Sequence, residues 1–464
     1  MSAPDLDRLR AWLRDHESEL LNDTLAMLRI PSIEGPAEPN APFGAENRRA
    51  LDLALKMTES WGFRTKDLEG YCGWAEFGSG EKLIVSLGHL DVVPVGPGWK
   101  HEPFGAEIDE GYIYCRGAED DKGPTMAAAY AARAIKECFP ELGARVRLVF
   151  GCNEESGFKC LERYNQTEEP PTFGVAPDSG WPLYHAEKGI ANIVVRGTLP
   201  TGGFALRSVE GGQRPNIVID RCNARVSVSA EARAEVEAAL ADAWDRNVEW
   251  RWEGDDLVVE AIGKAAHGSV PYRGDSAAIR AFRFLLGLAP LADRAFYSEL
   301  FELAHIGGNG LGISVSDDVS RDLTCNLGIV STIADQVELL FNIRYPVKFS
   351  GEQIRQMAEA SLAARKCGFE MVQFTDSPPL YFPLDHPLVR TIVAVAEEEL
   401  GPGQVPGVMG GGTYARAVPN TVSIGTGWDG DGPAHENDER LKVEHLFKMS
   451  RIYAHILYKL ATEA

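Results

Sequence analysis

Leucines at 6, 9, 13, 20 and 21 recur at helical spacing and predict one amphipathic helix ending before Pro31. A second helix is expected over Ala45–Trp61, closed by Gly62. The pattern then shortens. Trp74–Phe77 and Leu83–Leu87 read as strands on either side of a Gly78-Ser79-Gly80 turn, with Gly111–Tyr114 and the apolar Val146–Phe150 as further strands. Gly123–Lys136 reads as a helix with Pro124 in its first turn. Strands alternating with helices predict an open α/β sheet. Past Lys188 the texture becomes α+β. Strand-like runs at Asn192–Val195, Arg221–Val228, Trp250–Trp252, Leu257–Ala261, Leu323–Val330 and Val337–Arg344 are mixed with helical ones near Glu231–Trp244, Ser276–Leu286 and Gly351–Ala364. From Pro383 the first texture returns, with His386–Leu400 and Val443–Leu460 helical and Thr421–Ile424 extended. The expected architecture is an α/β domain with an open mixed sheet and helices on both faces, residues 1–186 and 384–464, interrupted by an inserted α+β domain, residues 187–383.

Composition narrows the function classes. The 464 residues carry 46 Lys+Arg against 68 Asp+Glu, a formal net charge of −22. That balance argues against nucleic-acid backbones and anionic membrane surfaces as partners. No run approaches the roughly 18 consecutive apolar residues of a spanning helix. The opening stretch is charged and amphipathic, without the pattern of a secretory signal. The cysteines at 72, 115, 138, 152, 160, 222, 325 and 367 form no C-x-x-C pair. A cytoplasmic protein with free, mostly buried thiols is expected.

Familiar motifs fail first. Gly308-Asn309-Gly310-Leu311-Gly312 lacks the third glycine of a dinucleotide fingerprint, and neither a P-loop nor a G-x-S-x-G elbow occurs. The informative segments are Gly88-His89-Leu90-Asp91, Glu119-Asp120-Asp121-Lys122-Gly123, Asn153-Glu154-Glu155, Pro177-Asp178 and Ala434-His435. Taken singly, each is an ordinary loop or turn residue. Together they place two histidines and several carboxylates after predicted strands. Ligands of open α/β sheets gather at those strand ends, and N/O donors of this kind suit a two-metal site.

In that order the segments resemble the dinuclear zinc metallopeptidases of the aminopeptidase, aminoacylase and carboxypeptidase G group, and within it the bacterial dipeptidase V branch of Xaa-His or carnosine-type dipeptidases. The resemblance covers nearly the whole chain. It implies His89 and Asp178 on one metal, Glu155 and His435 on the other, and Asp120 bridging both. It implies Glu154 as general base and Asp91 as the residue that orients His89. In the insert, Asn216 and Arg344 match substrate-binding positions, and His267 a catalytic one. The Gly410-Gly411-Gly412-Thr413 segment is a turn or a nest of backbone N–H groups for a carboxylate. The departures are Cys115, Glu119 and Cys152, none of which removes a ligand or the base.

The implied cofactors are two divalent metal ions, zinc first, with manganese or cobalt as alternatives. The implied reaction is hydrolysis of a dipeptide amide by metal-activated water. The substrate would be a small peptide with a free terminal carboxylate. An N-acyl amino acid deacylase of acetylornithine or succinyl-diaminopimelate type, using the same metal site, is the alternative. Retention of Glu154 and every ligand argues against a non-catalytic binding protein. The long insert implies a monomer whose lid supplies its own His267, and the resemblance also implies a cis Asp120–Asp121 peptide.

Overall fold

The computed structural model describes residues 3–463. It divides into two compact units. The first comprises the chain up to His185, Phe382–Gly407 and the chain from Gly412 on; the second comprises Ala186–Tyr381 with Val408–Gly411. Assigning Val408–Gly411 to the second unit departs from the boundaries expected from sequence. The cause is local: the Lys188 N–H donates to the Met409 carbonyl at 3.0 Å, and Arg344 Nη1 donates to the Gly410 carbonyl at 2.8 Å.

The first unit is built on a mixed sheet in the order Arg64–Asp67, Cys72–Gly78, Arg145–Gly151, Leu83–His89, Phe173–Ser179, Thr421–Gly425, then the strand beginning at Leu183. Leu83–His89 runs parallel to both neighbours, and Phe173–Ser179 runs parallel to Thr421–Gly425. The outer pairings are antiparallel. The parallel strands are buried along most of their length, as strands covered on both faces are. Adjacent residues of Cys72–Gly78 show the two coverings. A Cβ on Gly73 would touch Leu51 and Leu55 of helix Ala45–Ser60, whereas Cys72 Sγ donates to the Cys160 carbonyl of helix Lys159–Thr167.

Helix Lys122–Cys138 is the central packing element, with all but three of its residues buried. It approaches the sheet closely, because a Cβ on Gly88 would lie 2.0 Å from Thr125 Oγ1. The single N-terminal helix expected from the leucines is instead two, Ala3–Asp15 and Glu17–Leu28. The break falls at His16, whose ring stacks on Trp12 and whose Nδ1 donates to the Trp12 carbonyl at 2.7 Å.

The second unit holds an eight-stranded sheet in the order Val248–Glu253, Asp256–Ile262, Arg221–Val228, Phe204–Gly211, Thr324–Ile333, Gln336–Tyr345, Gly189–Thr198, Glu370–Ser377. Every neighbouring pair is antiparallel. Inward residues such as Cys222, Ala224, Val226 and Val228 alternate with outward ones and join Ala281, Phe282 and Leu285 of helix Ala277–Leu288 in one apolar core. Serines at 229, 276 and 350 cap three of its helices.

Candidate metal centre

The parallel strands of the first unit end at one edge. Leu83–His89 ends in His89, Arg145–Gly151 leads into Asn153-Glu154-Glu155, and Phe173–Ser179 carries Asp178 next to its last residue. Asp120 and Asp121 immediately precede helix Lys122–Cys138, and His435 lies in the loop beyond Thr421–Gly425. This is the crevice beyond the carboxyl ends of strands where open α/β folds bind ligands.

One ligand atom from each of His89, Asp120 and Glu155 lies within 4.8 Å of the other two. Asp120 faces two imidazoles at once. Its Oδ1 is 3.0 Å from His89 Nε2 and its Oδ2 is 3.0 Å from His435 Nε2. His435 Nε2 also lies 3.0 Å from Glu155 Oε2. Donors about 2.0–2.2 Å from zinc stand roughly 3.4 Å apart at a tetrahedral angle, so these pairs need to open by only a few tenths of an ångström to hold metals. The donors present therefore fit divalent metal ions at this carboxylate. Asp178 lies next to the last residue of its strand. Its carboxyl is pushed towards the neutral form by burial and then by the charges of Asp120 and Glu154, which places it in the same field.

The surrounding hydrogen bonds prepare these donors. His89 Nδ1 donates to the Asp91 main-chain carbonyl at 2.9 Å, which leaves the Nε2 lone pair for a metal. The Asp91 carboxylate is farther from the ring, at 3.6 Å, and does something else. Its Oδ1 accepts the Glu154 N–H and its Oδ2 the Glu155 N–H, both at 3.1 Å. The orienting role expected for the Asp91 side chain thus falls mainly to its backbone, while the side chain fixes the Glu154-Glu155 turn.

The DDKG motif divides likewise. The Asp120–Asp121 peptide is cis. Asp121 Oδ2 accepts from the His89 N–H at 3.1 Å and from the Thr125 hydroxyl at 3.0 Å. Lys122 is buried and donates to the Ile30 carbonyl at 2.6 Å, just beyond helix Glu17–Leu28. A Cβ on Gly123 would lie 2.1 Å from the Ala118 carbonyl, so glycine is needed there. Sequence reasoning missed Glu439, whose Oε1 accepts the N–H groups of Glu119 and Asp120 at 3.0 and 3.2 Å while Oε2 pairs with Arg116 at 2.6 Å. Nothing in the local sequence marks it.

The electrostatics ask for cations. Burial, reinforced by Glu155 and Asp120 and opposed by His89, pushes Glu154 well above the ordinary carboxylate range. Glu155 is raised by burial as well, against the His435 hydrogen bond. Hydrogen bonds to Asp120 and Glu155 push His435 up to about 10. Divalent ions bound by these residues would take the place of those imidazole protons. Glu119, the unusual neighbour of Asp120, is raised by burial to about 6 and accepts from the Thr426 hydroxyl at 2.7 Å.

The insert residues lie together within the second unit. Ile217 bridges His267, and the Gly268 N–H donates to the Asn216 carbonyl at 2.7 Å, so Asn216 and His267 sit on adjoining loops. The Ser269 N–H donates to His267 Nδ1 at 3.2 Å, which puts the ring hydrogen of the neutral imidazole on Nε2. Arg344 is buried, held by Asn342 Oδ1 at 3.0 Å, and donates to Gly410. A Cβ on Gly410 would lie 3.2 Å from Ser269 Cβ, which brings the glycine segment beside the His267 loop.

Residues 85–459 match peptidase family M20/M25/M40. YtjP of Bacillus subtilis, a dipeptidase by name, is 36% identical over 459 residues, covering 96% of this chain and 98% of its own. Among solved structures, the dipeptidase Dug1p of Saccharomyces cerevisiae superposes with a TM-score of 0.58 at 16% identity, covering 99% of each chain. Human carnosine dipeptidase 1 does so with a TM-score of 0.56 at 16% identity, covering 98% of each. No helix among the described residues is long and apolar enough to cross a membrane.

Proposed function

The chain belongs to peptidase family M20/M25/M40, a metal-dependent family, and from that premise we propose that it hydrolyses dipeptides with two divalent metal ions and Glu154 as general base. The observation that carries the proposal is the Asp120 carboxylate set between the Nε2 atoms of His89 and His435. When bound, the metal ions polarise the scissile carbonyl and make water acidic enough to ionise near neutral pH. His89, Asp120 and Asp178 would hold one ion, and Asp120, Glu155 and His435 the other. Zinc suits this N/O donor set, with manganese and cobalt as alternatives.

Glu154 takes the proton from the attacking water and returns it to the leaving amine. The Asp91 carboxylate keeps the Glu154 and Glu155 backbone fixed, so base and ligand hold their relative positions. His267 offers its Nε2–H to the oxygen that gains negative charge. Arg344 and Asn216 bind the terminal carboxylate of the substrate, which limits substrates to short peptides.

The test is a panel of dipeptides, tripeptides, C-terminally amidated dipeptides and N-acyl amino acids, each assayed with Zn²⁺, Mn²⁺ or Co²⁺. Dipeptides should turn over, and amidation should abolish most of the rate. Turnover of N-acyl amino acids without turnover of dipeptides overturns the proposal in favour of a deacylase.

A further inference from the structure

The second unit presents its candidate substrate residues on loops. Asn216 is exposed and its loop, 212–220, contains no helix; His267 is exposed, in the loop that follows strand Asp256–Ile262. Behind them lies a cavity of about 270 Å³ lined in part by Val218, Pro271 and Asn326. The two loops hold each other through backbone hydrogen bonds, and a pair of side chains two residues apart on strand Thr324–Ile333 ties both of them to the sheet. Asn326 is 2% exposed, and its amide Nδ2 donates to the Pro215 carbonyl at 2.8 Å and the Ile217 carbonyl at 3.0 Å. The two carbonyls flank Asn216. Thr324 Oγ1 donates to the Ser269 carbonyl at 3.2 Å, and the Ser269 N–H in turn holds His267 Nδ1.

We infer that Asn326 and Thr324 are positioning residues for substrate binding and turnover, Asn326 acting through Asn216 and Thr324 acting through His267. The inference rests on the proposed roles of Asn216 and His267. The chemistry at 326 is restrictive, since one nitrogen must give two hydrogens to two carbonyls. Aspartate has the same shape, donates nothing when ionised, and sets its charge against both acceptors. At 324, valine keeps the shape and removes the donor. The strand holds both loops, yet the loops are assigned different work. Asn216 grips the substrate in ground and transition states alike, whereas His267 acts on charge present only in the transition state.

The experiment is steady-state kinetics on the metal-loaded enzyme with one dipeptide, comparing Asn216→Ala, His267→Ala, Asn326→Asp, Thr324→Val and the double variant Asn216→Ala/Asn326→Asp. Asn326→Asp should raise KM by roughly 5- to 100-fold with kcat little changed, and Thr324→Val should lower kcat by roughly fivefold or more with KM little changed. In the Asn216→Ala background, Asn326→Asp should add no further loss in KM. Equal shifts of both parameters in both strand variants, wild-type values in both, or a fully additive double variant overturns the inference. Should Asn326→Asp fail to fold, Asn326→Ser, which retains one donor, should raise KM by a smaller factor, and an unchanged KM there overturns the inference equally. Wild-type kinetics in Asn216→Ala and His267→Ala would instead overturn the substrate-binding roles, and the inference with them. Impaired kinetics in those two beside normal strand variants overturns the positioning alone.

Discussion

Asp91→Asn separates two ways in which one aspartate can serve a metal centre. Each of its carboxylate oxygens accepts one backbone N–H, from Glu154 and from Glu155, at 3.1 Å. Asparagine keeps one acceptor and turns a donor towards the other N–H. The loss is one hydrogen bond to a charged acceptor in a buried place, about 1.5–3 kcal/mol. If that energy is what fixes the Glu154-Glu155 turn in the transition state, kcat falls by roughly 10- to 150-fold at about 1.36 kcal/mol per decade. His89 should keep its place, because its Nδ1 donates to the Asp91 main-chain carbonyl, which the substitution leaves intact. The assay pairs kcat at saturating dipeptide with metal content by elemental analysis, over a range of added metal. The expected result is a low kcat that excess metal does not restore, with wild-type metal stoichiometry. Full recovery of kcat by added metal would refute the reasoning, for it would mean that the carboxylate acts through His89 and metal affinity, where losses of about 10- to 100-fold are usual.

Three further outcomes are expected. Glu154→Ala should retain its metals by elemental analysis and lose kcat by roughly 10²- to 10⁴-fold, whereas loss of both metals would show the residue to be a ligand. Glu76→Gln should destabilise the protein by about 1.5–3 kcal/mol in urea unfolding, since it removes the charged partner 2.6 Å from buried Arg147 and leaves that guanidinium Glu168 and Glu169 at 3.6 Å; wild-type stability in the variant contradicts this. Burial acts to raise the Glu399 carboxyl, but hydrogen bonds from His455 and Arg10, each 2.8 Å, outweigh it and hold the group below its usual range. A folded value below the unfolded one of about 4.3 stabilises at pH above 4.3, and that contribution fades as pH falls through the folded value. The advantage of the wild type over Glu399→Gln in urea midpoint should therefore shrink between pH 6 and pH 3.5, and an advantage that grows on acidification contradicts the assignment.

What could be read from sequence follows contrast. Arg221–Val228 alternates strictly and the structure returns the same bounds, because one face of that strand meets the core and the other does not. Glu370–Ser377 escaped notice because it is an edge strand with little burial on either face, so its side chains carry almost no periodic signal. Phe204–Gly211 escaped because a bulge between Leu206 and Ser208 interrupts its alternation. The break at His16 was invisible since it depends on a ring stacking one turn back and not on the leucine spacing. At the site the same division holds between local and distant causes. His89, Asp91 and the Glu154-Glu155 pair are legible because each sits within a few residues of a buried strand end. The use made of each atom is not. That Asp91 orients the ring with its backbone and the Glu154-Glu155 turn with its side chain follows from where two strand ends meet, 63 and 64 residues apart in the chain. Glu439 and Asn326 lie farther still from the groups they hold, and no local pattern distinguishes them from surface residues. Residue types at strand ends thus announce the chemistry, and the tertiary pairing of polar groups decides which atoms are free to perform it. A variant that preserves the type and alters one atom, such as Asp91→Asn or Asn326→Asp, is for that reason the sharper probe of this protein than any alanine.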